Sequence, residues 1–180
     1  MAKSDRKTID KVFILLGVAM TAVLLVVGGL SWYAYRFADN SVRTELAAQK
    51  VYFPSKGSPG LDPSEFPDLQ KYAGQLVDNG PKAKAYANGF IGRHLEKVAG
   101  GKTYSEVSAL AKKDPTNTKL QSQKQTLFQG ETLRGLLLGD GYAYWTFGQI
   151  AQYAAIAAFA GAGVMAVLIL LGLRHLARLK

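Results

Sequence analysis

The residue types that could do chemistry are few. The chain holds two histidines, His94 and His175, and no cysteine. Without thiolates there are no disulfides, no Cys-type zinc site, no iron–sulfur cluster and no c-type haem attachment. The same absence leaves the redox compartment open. A serine-type triad would have to recruit His94, and the sequence contains no G-x-S-x-G elbow. Glu96, Glu106 and Glu131 could supply paired carboxylates, but any helical domain offers such pairs. Gly100-Gly101-Lys102-Thr103 ends like a phosphate loop, yet it lacks the earlier glycine and a preceding strand. Thr103 with Glu106 reads instead as a capping box at a helix start. The expectation is therefore a non-enzyme with no catalytic residue, no metal ligand and no bound cofactor.

Two apolar runs must position whatever these residues do. From Thr146 to Leu173 there is no Asp, Glu, Lys, Arg or His. As a helix it spans roughly 40 Å, against a bilayer core of about 30 Å. Val12 to Tyr35 is also apolar, apart from Thr21 and Ser31. It is longer than a secretory h-region and no A-x-A site follows, so it reads as an uncleaved anchor. Lys3, Arg6, Lys7 and Lys11 precede the first run, and Arg174, His175, Arg178 and Lys180 follow the second. Basic flanks stay in the cytoplasm. The chain thus divides into a cytoplasmic tail at 1–11, a transmembrane helix at 12–35, an extracytoplasmic domain at 36–145, a transmembrane helix at 146–173 and a cytoplasmic tail at 174–180. The location is the plasma membrane, crossed twice. On this topology His94 and His175 lie on opposite sides of the bilayer and cannot share a site. His175, beside Arg174 and Arg178, contacts lipid headgroups.

The formal net charge of +9 has no dense Lys/Arg run behind it. It fits orientation signals and a solvated surface, with membrane lipids as partners and no nucleic acid. The middle region reads as helical, so the fold class is an all-α membrane protein, two transmembrane helices flanking a small helical extracytoplasmic domain. Ser41–Val51 is rich in helix formers and extends the first span. Tyr52–Asp62, with Pro54, Gly57, Pro59 and Gly60, reads as a surface loop. Pro67 opens a short helix to about Val77. Pro81 opens another, with Ala83, Ala87, Phe90, Ile91, Leu95 and Val98 on one face and His94 on or beside it. Gly100-Gly101 stops it. A third runs from Thr103 to about Lys113. Asp114-Pro115 caps a fourth, from about Thr116 to Leu138, which Gly139-Asp140-Gly141 breaks.

Three residue sets stand out. Ala154, Ala158, Ala162 and Ala166, with Ala157 and Gly161 beside them, form a helix-packing interface, because small residues let a neighbouring helix approach closely. Trp32, Tyr33, Tyr142, Tyr144 and Trp145 make an aromatic belt at the outer membrane boundary. Glu131, Arg134 and Asp140, among glycines and leucines, are a candidate docking surface between domain and membrane.

The runs Tyr52-Phe53-Pro54, Phe66–Ala73, Ala85–Ile91 and Phe128–Tyr142 resemble an uncharacterised family of small actinobacterial two-span membrane proteins, across most of the chain. Some members carry the label aromatic ring-opening dioxygenase. A non-haem iron site for that reaction takes two histidines and a carboxylate together, and His94 and His175 do not provide them. The resemblance implies a source and not an activity. The expected role is a non-catalytic accessory or scaffold subunit that joins other integral membrane subunits, a respiratory-chain assembly being one candidate. The alternative is an extracytoplasmic ligand-binding or sensor-like membrane protein.

Overall fold

The computed structural model describes residues 3–178, with side chains described from Arg6 onward. Lys180 and the side chain of Lys3 lie outside the described residues. The fold is all-α. The α-helices are α1 (Lys3–Ala48), α2 (Gly80–Lys84), α3 (Arg93–Ala99), α4 (Tyr104–Lys113), α5 (Thr118–Leu136) and α6 (Tyr144–Arg178). A π-helical segment, Ala85–Gly92, joins α2 to α3, and a second, Leu137–Ala143, joins α5 to α6. Among the described residues there is no strand, and the only β pairing is an isolated bridge between Tyr52 and Leu76. Two compact units result, one formed by the chain up to Phe37 and from Phe147, the other by Ala38–Thr146.

The first unit is an antiparallel pair made by α1 and α6. On α1 the covered positions include the series Asp10, Ile14, Gly17, Thr21, Leu24 and Gly28. On α6 they include Ala155, Ala158, Ala162, Met165, Ile169 and Gly172. Both series step alternately by three and four. That is the 3.5-residue repeat which keeps one stripe of a helix facing its partner along its length. Glycines set the approach: a Cβ on Gly17 would lie 3.1 Å from Ile169, and one on Gly28 would lie 2.7 Å from the Phe159 ring. The remaining faces carry exposed Leu, Val, Ile and Phe. Both helices are long and apolar enough to cross a membrane, with windows of mean hydropathy 2.6 and 2.5. Only 11% and 17% of those windows are buried, whereas the core helix of a soluble domain would be mostly buried.

The second unit has its own core. Val42 and Leu46 of α1, Val107 of α4, Leu127 of α5 and Leu137 meet Phe53, Leu61 and Val77 from the irregular stretch between α1 and α2. The rod from α2 through the π segment to α3 buries Ala83, Ala87, Ile91, Leu95 and Ala99, one residue in four. In an uninterrupted α-helix a four-residue repeat drifts around the axis. The wider π turns between Ala85 and Gly92 absorb that drift and hold the stripe on one side.

Several sequence expectations change here. Tyr52–Asp62 is not simply a surface loop, because Phe53 is 1% exposed and Leu61 is fully buried. Backbone N–H groups of Phe53 and Val77 donate to Gln75 and Val51 at 2.9 and 2.8 Å, and the Phe53 ring packs on Tyr72 and Tyr86. The Pro67 helix is a short 3-10 turn, Pro67–Tyr72, since the chain beyond it is drawn into that pairing. The cap of α5 is Asn117, whose side chain accepts from the Leu120 N–H, while Asp114 ends α4. Gly139-Asp140-Gly141 does not break the helix. The π segment carries it into α6, and Gly141 gives Ala83 and Leu46 the room a side chain would occupy.

Candidate functional site

In the second unit, polar side chains gather along the α2–α3 rod. Arg93 donates to both carboxylate oxygens of Asp68 at 2.7 and 3.0 Å and to the Glu65 carbonyl at 3.2 Å. Lys97 pairs with Glu65, and both cations lie over the Phe66 ring. Arg134 donates to both oxygens of Glu131 and to Asn88 Oδ1, while its Nε is buried without an acceptor. A groove of about 370 Å³ runs between Asn88, Glu96, Lys102 and Arg134. The pairing sets the charge states: hydrogen bonds from Arg93 hold the Asp68 carboxyl below its usual range. These groups neutralise one another, and exposed pairs of this kind contribute about 0–1 kcal/mol each.

The expected chemical candidates fall into structural roles. Glu106 closes the capping box, accepting from the Thr103 N–H at 2.7 Å, and that backbone hydrogen bond lowers its pKa. Gly100 and Gly101 take left-handed φ values of 59° and 77° and terminate α3. Glu131 is engaged by Arg134, and Glu96 is exposed. His94 is exposed, beside the face that Ile91 and Leu95 bury. Among the described residues no three of His, Cys, Asp and Glu come together as metal ligands.

The packing and boundary residues divide more finely than their types indicate. Ala158 and Ala162 are buried on the seam and Gly161 is half-buried beside it against Leu24. Ala154, Ala157 and Ala166 lie on the exposed side of α6. A four-residue ladder turns about 40° per step on an α-helix, so its members cannot all face one neighbour. Trp32 and Tyr33 are exposed, at 42% and 70%. Trp145 instead packs inside the second unit, to which it belongs, and a Cβ on Gly80 would lie 2.5 Å from it. The Lys84 ammonium donates to the Tyr142 hydroxyl at 3.2 Å, which lowers that phenol's pKa, and Tyr144 is partly exposed. In the docking trio Glu131 and Arg134 hold each other and Asp140 is exposed.

Two features escaped sequence reasoning. The glycines Gly17, Gly28 and Gly172 belong to the α1–α6 seam, and a search for alternating steps of three and four would have found them. Asp10 faces His175, with 3.8 Å between Oδ2 and Nε2. The spacing of the two residues from the ends of the apolar runs was the available signal.

The chain matches no protein-family model, no curated protein and no solved structure. The functional reading therefore rests on the geometry.

Proposed function

We propose that this chain is a non-catalytic accessory or scaffold subunit of a larger membrane protein complex, anchored by α1 and α6 with both ends cytoplasmic and the domain of α2–α5 extracytoplasmic. One observation carries the reading. The two apolar helices cover only a narrow seam against each other and leave their remaining faces open. On α6 the open side includes Ala154, Ala157 and Ala166, where a further helix can approach without displacing side chains. The ordered, self-neutralising ion pairs of the domain suit a recognition surface better than proton transfer, which needs a free acid or base within reach. The orientation follows from the basic flanks. A respiratory-chain assembly and an actinobacterial source remain part of the proposal, carried by the resemblance of the four sequence runs named above.

The test is purification of the chain from its native membrane in mild detergent, with identification of co-migrating integral proteins. A stable set of partners, weakened by Ala157→Leu on the open face, is expected. Migration as an isolated chain, with Ala157→Leu behaving as wild type, overturns the reading. The second reading, a ligand-binding domain, is favoured by the groove beside Arg134 alone, whose buried Nε lacks an acceptor.

A further inference from the structure

The seam between α1 and α6 fixes which residues lie at the same height. A Cβ on Gly17 would lie 3.1 Å from Ile169, and one on Gly28 would lie 2.7 Å from Phe159. One on Gly161 would lie 3.4 Å from Leu24, and one on Gly172 would lie 3.1 Å from Ile14. In every pair the two residue numbers add to about 186. Both helices rise equally per residue and run in opposite directions, so that sum marks equal height. Tyr33 is then level with Tyr153, and Lys11 with His175.

Several features change together at the Tyr33–Tyr153 level. Trp32, Tyr33 and Tyr153 are exposed there, at 42%, 70% and 69%. From Ala154 to Leu173 the chain has only Ala, Gly, Val, Ile, Leu, Met and Phe, whereas Thr146, Gln149 and Gln152 all precede Tyr153. Arg36, exposed on α1, is level with Ile150. A guanidinium is costly in hydrocarbon, so that height belongs to headgroups or water. From Lys11 to Tyr33 and from Tyr153 to Arg174 the helices rise roughly 33 and 32 Å. Each matches a bilayer core of about 30 Å, which the full run from Thr146 overshoots by roughly 10 Å. Tilting would not hide the excess, because Arg36 would enter the hydrocarbon with Ile150.

We propose that lipid headgroups grip this chain at Trp32, Tyr33 and Tyr153, and that acyl chains cover only 12–32 and 154–173. The indole N–H and the two phenol hydroxyls donate to phosphate and ester oxygens of the lipid, while the rings stay in the apolar edge. The stretch 147–152 stands beyond the acyl chains. Trp145, eight residues before Tyr153 on α6, takes no part in the anchor. The inference rests on the two-span reading, and it holds for either orientation of the chain.

The test is a depth measurement. The chain has no cysteine, so one introduced thiol carries a nitroxide uniquely. The full chain is placed in phosphatidylcholine nanodiscs and labelled in turn at Leu30→Cys, Phe37→Cys, Ile150→Cys, Ile156→Cys and Val164→Cys. All five positions are exposed, and all leave the three anchoring rings in place. Collision with oxygen, which concentrates in hydrocarbon, is compared with collision with a water-soluble nickel chelate. Phe37→Cys and Ile150→Cys should be open to nickel. Leu30→Cys and Ile156→Cys should be closed to it, so that access is lost over roughly 9 Å of α6. Val164→Cys should be deepest. Protection of Ile150→Cys or Phe37→Cys from nickel overturns the assignment, and so does nickel access at Leu30→Cys or Ile156→Cys. Replacing Trp32, Tyr33 and Tyr153 together by Ala should shift the depths of Ile150→Cys and Ile156→Cys in the same direction. Unchanged depths overturn the anchor. Nickel access at Val164→Cys overturns both the anchor and the two-span reading.

Discussion

A methyl group added at Gly130 would lie 2.5, 2.7 and 3.0 Å from Cδ2, Cδ1 and Cγ of Leu95. Leu95 is 4% exposed, so its isobutyl group cannot swing into solvent and must push against the core. Overpacking of that kind costs about 1–3 kcal/mol. Alanine in a helix interior is favoured over glycine by about 1 kcal/mol, which offsets part of the cost. The net expectation for Gly130→Ala is a loss of roughly 1 kcal/mol. Gly135, on the same helix, has no atom within 4 Å of an added Cβ. Gly135→Ala therefore collects the helical gain alone, about 1 kcal/mol. The same substitution made twice on α5 should change stability with opposite sign. A change of 1 kcal/mol moves the melting midpoint of a domain this size by about 4 °C. Thermal unfolding of the full chain in detergent, followed by far-ultraviolet circular dichroism, resolves that difference. A midpoint for Gly130→Ala raised as far as that for Gly135→Ala would refute the packing of α3 against α5.

The other expectations use the same logic. On the seam, Ala158→Leu should cost about 1–3 kcal/mol in the melting of the detergent-solubilised chain, whereas Ala157→Leu on the open side should leave it unchanged. Thr103→Ala removes the α4 cap and should lower stability by about 1 kcal/mol, and Thr103→Ser should restore it. Asp68 has a depressed folded-state pKa, so its contribution is present above the unfolded value near 4 and is lost as pH falls through the folded one. It is half-exposed, so Asp68→Asn should flatten the acid limb of a stability–pH profile by well under about 1 kcal/mol. Cysteines at Lys112 and at Ser4 should label oppositely with an impermeant maleimide on intact cells, Lys112→Cys reacting and Ser4→Cys not. The reverse pattern overturns the proposed orientation.

What the sequence determined by itself are the features whose energetics are local. A helix of uncharged residues from Thr146 to Leu173 follows from composition alone, because each backbone group is satisfied within its own helix. The Thr103–Glu106 capping box, the stop at Gly100-Gly101 and the apolar face through Ala83, Ala87, Ile91 and Leu95 all depend on residues within a turn or two of one another. Tertiary structure decided the rest. Gly139-Asp140-Gly141 looks like a break until Ala83 and Leu46 press on Gly141, and then glycine is what lets the helix continue. Phe53 and Leu61 sit among prolines and glycines, yet they are core residues because Val51 and Phe53 pair with Gln75 and Val77 across the intervening chain. The phase of the α1–α6 seam, and with it the meeting of Asp10 and His175, depends on a partner more than a hundred residues away in the chain. A helix carries every face at once, and only the neighbour that packs on it selects one.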